Sequence, residues 1–254
     1  MDIKGSIGVF DSGIGGVTVL KQILKRLPNE NYIYYSDSIN NPYGDKDDEE
    51  IFNLCDVIVK KFIEKECKAI VIACNTASAK AAKRLREKYP QEIIIAIEPA
   101  YKMVYDFAYE KPTLVMATKG TIASEKFHKL YEKYDNHKTY LMACKGLADI
   151  IEEGNKEKIQ KYLKENLEEY VGKVENVVLG CTHYPLIQEQ IKKVLGDVQF
   201  FNGAPNLAKH LEDVLIENNL KSNLKINGKI DFIDSSNSEY KKERFYKYLQ
   251  IEEG

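Results

Sequence analysis

The chain has 254 residues, enough for one large domain or two modest ones at about 150 residues each. Hydrophobic residues make up 44% and charged residues 30%, with 15 Gly and 7 Pro, which excludes a disordered, collagenous or linker-dominated chain. Lys and Arg number 37 against 39 Asp and Glu, a formal net charge of −2, so no overall field draws in nucleic acid or acidic lipid, and neither is expected as a partner.

Short apolar runs alternate with amphipathic stretches along the whole chain, the pattern of an α/β fold with parallel sheets. Strands are predicted at 7–11, 32–36, 69–73, 93–97, 113–117, 139–142, 176–179, 198–201 and 229–233. A helix is expected from 17 to 25 and another from 47 to 65. In the second, Ile51, Leu54, Cys55, Ile58, Phe62 and Ile63 recur at spacings of three and four, which buries one face and leaves the Lys, Glu and Asp face wet. Residues 152–172 read as one charged amphipathic helix, and 240–248 as the last. No apolar run approaches the ~20 residues that span a bilayer. The opening Met-Asp-Ile-Lys-Gly-Ser carries no apolar leader, so a cytoplasmic location is expected. The five cysteines are scattered and never form Cys-x-x-Cys, which argues against a disulfide framework or a dithiol redox motif.

The chain resembles itself. A shift of 107 positions places Asp11 on Thr118, Asp37 on Cys144 and Cys74 on Cys181, with the apolar strand bodies coinciding as well. Two pseudo-equivalent α/β domains follow, with mainly parallel sheets that face each other across an interdomain cleft. Parallel strands aim their carboxyl ends at the ligand crevice, so residues just after the strands are where chemistry belongs.

Three strand exits carry that chemistry. Phe10-Asp-Ser-Gly-Ile-Gly-Gly16 joins the first strand to a helix; its glycines permit close backbone approach, and the helix N-terminus offers N–H groups to a carboxylate or phosphate. It fits neither the G-x-G-x-x-G dinucleotide pattern nor a P-loop. Asp11 can accept from a substrate ammonium or act as a base. Ala73-Cys-Asn-Thr-Ala-Ser78 and Gly180-Cys-Thr-His-Tyr-Pro185 each put a thiol beside small hydrogen-bonding side chains, at equivalent places of the two halves. Thiols facing across a cleft can work on both sides of one carbon: a thiolate removes a proton, the other thiol returns one to the opposite face, and the stereocentre inverts. Asp11 and His183 are natural proton partners for them.

Competing thiol chemistries fit less well. Lys80 and Ile187 stand where a Cys-x5-Arg phosphatase loop needs arginine. A Cys-His hydrolase would use Cys181 with His183 and leave Cys74 idle. Zinc on Cys74, Cys181 and His183 has atypical spacing and no evident fourth ligand, so no metal is expected. Cys55 and Cys67 read as core, and Cys144 as a weaker cleft candidate at another strand exit.

Together with Asn41-Pro-Tyr-Gly44, these segments resemble the signature segments of bacterial glutamate racemases, in order and at suitable separations over essentially the whole chain. The resemblance implies cofactor-independent interconversion of L- and D-glutamate, supplying D-glutamate for peptidoglycan. On the matching positions Cys74 and Cys181 would be the acid/base pair, assisted by Asp11 and His183, with Asp37 and Glu152 as accessory catalytic positions. Asp11, Ser12, Pro42, Tyr43, Gly44, Asn75, Thr76, Thr118, Thr121, Thr182 and His183 would hold the substrate. The resemblance also implies an N-terminal domain of residues 1–98 that the segment 208–254 rejoins, a second domain of residues 99–207, and a homodimer. Because the glycine segment starts near residue 10, the N-terminal extension of members activated by a cell-wall precursor is not expected.

Some positions depart from the family pattern: Asn40 stands where arginine is common, Lys145 follows Cys144 where proline is usual, and residues 201–204 match only in part. Aspartate racemases share the paired-cysteine mechanism but carry Glu two residues after the second cysteine, so His183 favours glutamate. Aspartate racemase is the nearest alternative, and a non-catalytic amino-acid-binding module the alternative of another class. Ser12, Asn75, Thr76 and Thr182 with backbone N–H groups can take up charge developing on a substrate carboxylate. No Schiff-base lysine or phosphate cup signals pyridoxal, and no cofactor is expected.

Overall fold

The computed structural model describes residues 5–250. Residues 1–4, part of the stretch expected to be leaderless, and 251–254 lie outside the described residues. Among the described residues nine strands alternate with helices: β1 (Ile7–Asp11), β2 (Tyr32–Ser36), β3 (Ala69–Ile72), β4 (Ile94–Ala96), β5 (Thr113–Ala117), β6 (Thr139–Ala143), β7 (Asn176–Gly180), β8 (Gln199–Phe201) and β9 (Ile230–Asp234). All pair in parallel and form two sheets, ordered β4-β3-β1-β2-β9 and β6-β5-β7-β8. The shift of 107 positions carries the starts of β2 and β3 onto those of β6 and β7, β1 to within one residue of β5 and β4 to within two of β8. The order β4-β3-β1-β2 is therefore repeated as β8-β7-β5-β6, and the internal repeat read from sequence is a repeat of topology.

Each sheet is covered on both faces, which is why its central strands are apolar at nearly every position. In β1, Ile7 and Val9 point to a core shared with the helices Val17–Arg26, Ala204–Glu217 and Glu239–Gln250. Phe10 points to the opposite core, built with the helix Asp48–Glu64 through Ile51, Cys55, Ile58, Val59 and Phe62. That helix begins where its sequence says it should: the Asp47 carboxylate accepts from Glu50 N at 2.8 Å, and Asp48, Glu49 and Glu50 fill the positively polarised first turn. The second sheet is sandwiched in the same way.

The single helix expected at 152–172 is corrected. Gly154, at φ 70°, ends the helix Leu147–Glu153; Asn155 then caps Lys156–Leu167 by accepting from Lys158 N at 2.9 Å, and a 3-10 turn, Glu168–Tyr170, follows. Left-handed backbone at the glycine stops one helix, and the Asn side chain starts the next. Glu152 thereby lies in the last turn of a helix that points at the cleft. Among the described residues no helix is long and apolar enough to cross a membrane.

Candidate active site

The carboxyl ends of β1, β3, β5 and β7 meet at a cavity between the two sheets. Cys74 follows β3 and Cys181 follows β7; both line this cavity, at 5% and 6% exposure. Ser12, Pro42, Tyr43, Gly44, Asn75, Thr76, Thr118, Thr182 and His183 share the wall with them. Asp11, Asp37, Thr121 and Glu152 stand behind it rather than on it.

Each thiol heads a chain of polar groups that ends on a buried carboxylate. On the first side, Cys74 Sγ donates to Ser12 Oγ at 3.7 Å, and Ser12 Oγ donates to Asp11 Oδ1 at 3.5 Å. On the second, Cys181 Sγ lies 3.7 Å from His183 Nδ1, and His183 Nε2 lies 2.9 Å from Glu152 Oε1. The two chains are tied across the cleft. Thr182 Oγ1, from the second half, donates to Asp11 Oδ2 at 2.9 Å; Ile14 N, from the first, donates to Glu152 Oε1 at 2.9 Å. Cys74 also caps the helix Asn75–Lys80, its sulfur accepting from Ala77 N at 3.5 Å, so local backbone geometry aims the thiol.

The glycine segment does part of what its sequence suggests. A Cβ on Gly13 would sit 1.7 Å from Glu152 Oε1 and one on Gly15 would sit 2.4 Å from His183 Nδ1, so only glycine lets this turn close against the second half. The N–H groups of Val17, Thr18 and Val19 at the helix start, where a substrate anion was expected, donate to the carbonyls of Ile14, Gly15 and Gly16, and those of Gly13 and Ile14 before it donate to Asp11 Oδ1 and Glu152 Oε1. The protein's own carboxylates occupy that part of the turn.

The two thiols have different hydrogen-bond partners, Ser12 for Cys74 and His183 for Cys181. Burial pushes the Cys74 thiol up to about 12, and the Asp11 anion adds to the rise. Burial raises the Asp11 carboxyl as well, offset in part by His183 and by hydrogen bonds from Gly13 and Thr182. Burial alone draws the His183 imidazole down, but its hydrogen bonds to Cys181 and Glu152 outweigh that and hold it well above its ordinary value. For Glu152, the burial penalty is overcome by His183, Lys241 and Ile14 N, which hold the carboxyl at about 2. His183 and Glu152 are therefore a buried ion pair, with Cys181 Sγ on the other side of the same imidazole ring.

Thr76, Thr118 and Thr121 form a hydroxyl cluster between the halves, with Thr118 Oγ1 2.9 Å from both Thr76 Oγ1 and Thr121 Oγ1. Asp37 is buried, accepting from Tyr43 OH at 2.6 Å and from Asn40 Nδ2 at 3.0 Å; it shapes the loop that carries Tyr43 into the wall. The wall also holds Asn41, named in sequence only as the start of its motif, and residues that sequence reading did not single out: Asp45, Lys119, Gly146, Ala148 and Asp149. Asp149 was within reach, since it lies three residues before Glu152 on one helix face; burial and the Glu152 charge raise its carboxyl, and Asn41 Nδ2 donates to it at 3.2 Å. Lys145 and Cys144 line the wall too. Among the described residues no cluster of His, Cys, Asp and Glu is arranged to hold a metal ion.

Known proteins resemble this chain in sequence and fold. A family model for Asp/Glu/Hydantoin racemases matches residues 15–211. The glutamate racemase of Clostridium perfringens is 43% identical over 240 residues, covering 92% of each chain. Among solved structures, the Francisella tularensis glutamate racemase, crystallised with D-glutamate, superposes with a TM-score of 0.83 at 33% identity and covers 99% of this chain and 96% of its own. A Bacillus anthracis glutamate racemase isoform gives 0.85 at 30% identity, covering 98% and 95%. The family match spans most of the chain and the relatives resemble it over nearly their full length: the chain belongs to the Asp/Glu/Hydantoin racemase family and is an isomerase.

Proposed function

We propose that the chain is a glutamate racemase that inverts the α-carbon without a cofactor, using Cys74 and Cys181 on opposite faces. The observation that carries this reading is the pair of thiols at equivalent strand ends of one cavity, each backed by its own buried carboxylate. The α-ammonium of an entering amino acid opposes the field of Asp11, which otherwise disfavours a Cys74 thiolate. Cys181 Sγ lies 3.7 Å from His183 Nδ1, close enough to exchange a proton with it. In one direction the Cys181 thiolate takes the α-proton and becomes a thiol, leaving the electron pair on the α-carbon and its carboxylate. The Cys74 thiol then gives its proton to the other face and is left as thiolate, with the configuration inverted. The reverse direction exchanges the roles. Ser12, Asn75, Thr76 and Thr182 supply hydrogen bonds where the carboxylate charge grows.

The rest of the reading goes with it: Asp11, Asp37, His183 and Glu152 assist the thiols, and the wall residues named above, with Thr121 behind Thr118, hold the substrate. Residues 1–98 with 208–254 form one domain and 99–207 the other, supported by the packing of Leu211, Leu215 and Phe245 in the β1 core. The reaction supplies D-glutamate for peptidoglycan in the cytoplasm, from a homodimer.

The test is α-proton exchange in D2O followed by NMR, with L-glutamate and L-aspartate in parallel and Cys74→Ser and Cys181→Ser as controls. Deuterium entering glutamate with D-glutamate appearing, and inversion lost in either variant, is the expected result. Exchange of aspartate alone overturns the substrate; exchange of neither in folded protein overturns the racemase reading.

A further inference from the structure

The helix Glu239–Gln250 faces two ways. Its inner side belongs to the first sheet: Phe245 is fully buried, with its ring centroid 4.4 Å from Phe232 and 4.6 Å from Tyr34. Its other contacts reach the second half, at the last turn of Leu147–Glu153. Tyr240 OH donates to the Glu153 carbonyl at 2.8 Å and Arg244 Nη2 to the Ile151 carbonyl at 3.0 Å. A Cβ on Gly154 would lie 2.0 Å from Arg244 Nη1, so the two elements meet without a gap. The Ile151 carbonyl also accepts from Gly154 N at 3.0 Å, and carbonyls at a helix C-terminus carry partial negative charge, which suits a guanidinium and a phenol hydroxyl.

Lys241, between those two side chains, reaches the site itself. Its Nζ lies 3.2 Å from Glu152 Oε2, while Oε1 of the same carboxylate holds His183 Nε2 and Ile14 N. Glu152 is thus gripped from three elements. The other titratable groups acting on it are Asp11 after β1, Asp149 on its own helix, Tyr34 on β2 and Tyr248 on the last helix. Asp11 and Asp149 repel a Glu152 carboxylate, and the Lys241 ammonium opposes that repulsion.

We propose that Lys241 is a positioning residue of the reaction: from the last helix it fixes the Glu152 carboxylate on His183, and so ties the Cys181 side of the site to the seating of that helix. This rests on the racemase reading of the cleft. Lys241 touches neither thiol; it acts through Glu152 and His183. Its side chain is 24% exposed, so its head can be changed while the apolar stem keeps its packing.

The experiment uses the full chain as parent, Lys241→Met and Lys241→Arg. Racemisation of both glutamate enantiomers is measured across pH, and the Glu152 carboxyl is followed by 13C NMR, assigned by loss of its signal in Glu152→Gln. Removing a cation disfavours the carboxylate, so in Lys241→Met the Glu152 titration moves up from about 2. The acid limb of kcat moves up with it, and kcat falls about ten-fold with KM within about two-fold. Lys241→Arg restores both. Unchanged kcat in an active parent overturns the proposal, whether or not the Glu152 titration moves. So does a fall in kcat with an unmoved pH profile and no rescue by Arg, the mark of a merely structural contact. A parent that racemises neither enantiomer overturns the racemase reading itself and removes the reaction Lys241 is proposed to serve, which is a separate and recognisable outcome.

Discussion

His183 and Glu152 are a buried pair with opposite shifts, and their linkage to pH can be worked out residue by residue. The Glu152 carboxyl is held at about 2, below its ordinary 4.5, so its contribution to stability is full above 4.5 and is lost as pH falls toward 2. His183 is shifted upward from 6.5, so its contribution is full below 6.5 and fades as pH rises through its folded value. Both contributions are complete only between those two ordinary values. Glu152→Gln keeps an acceptor for Ile14 N and His183 Nε2 but removes the charge. It should cost about 1–3 kcal/mol, with the gap from the parent widest between pH 4.5 and 6.5 and closing on either side. Urea unfolding of both proteins at several pH values checks this; a gap independent of pH would mean that Glu152 serves only as a spacer. At this scale the sequence was informative about residue types and poor about neighbours. Cys74, Cys181 and His183 could be read because they sit in short motifs at strand ends. That Ile14 N serves Glu152 could not, because that bond depends on how close two distant halves come, the two residues being separated by 138 positions.

At the scale of elements, the last strand and helix do the most with the least sequence signal. β9 joins the first sheet beside β2 in parallel register, and the helix Glu239–Gln250 then lays Phe245 against Phe232 and Tyr34. Tyr34 OH donates to the Gly13 carbonyl at 2.9 Å, so this aromatic cluster also supports the turn that carries Asp11 and Ser12. Phe245→Ala should therefore destabilise the protein by about 3–5 kcal/mol, read as a lower urea midpoint with an unchanged m-value. Racemisation should weaken in protein that is still folded. A loss under about 1 kcal/mol would show that the helix is only loosely docked. The nine strands were legible because each is a short apolar run between turn signals, and covering both faces of a sheet demands such runs. The break at Gly154-Asn155 was also written in the residues, as a left-handed stop followed by an Asn cap. The amphipathic period on either side of it masks the break, since two consecutive helices can share one wet face.

In the whole molecule, the two sheets bring four strand ends together, and the contacts over the cavity belong to both halves. Gly120 N donates to the Gly44 carbonyl at 3.0 Å, Thr76 Oγ1 lies 2.9 Å from Thr118 Oγ1, and Asn41 Nδ2 donates to Asp149 Oδ1 at 3.2 Å. On the two-thiol mechanism proposed above, an amino acid passes this rim to reach both thiols, and the rim parts and closes again in each turnover. Gly120 is where that closure is most exposed to a single substitution. A Cβ there would stand 2.7 Å from the Gly44 carbonyl oxygen and 3.2 Å from Lys80 Cε and Thr76 Cγ2. The nearest atom is backbone, which cannot swing aside as the end of a long side chain can, so the added methyl wedges the halves apart. The helix Lys119–Ile122 itself loses nothing, because alanine is about 1 kcal/mol better than glycine in a helix. Gly120→Ala should therefore raise KM for glutamate about ten-fold, the equivalent of about 1.4 kcal/mol. It should lower kcat as the closed arrangement becomes scarcer, and leave the unfolding midpoint close to that of the parent. Steady-state kinetics beside a thermal melt separate the cases. A lower melting point with an unchanged KM would place the strain inside the second half, and the two sheets would then be a rigid pair whose rim does not gate the thiols.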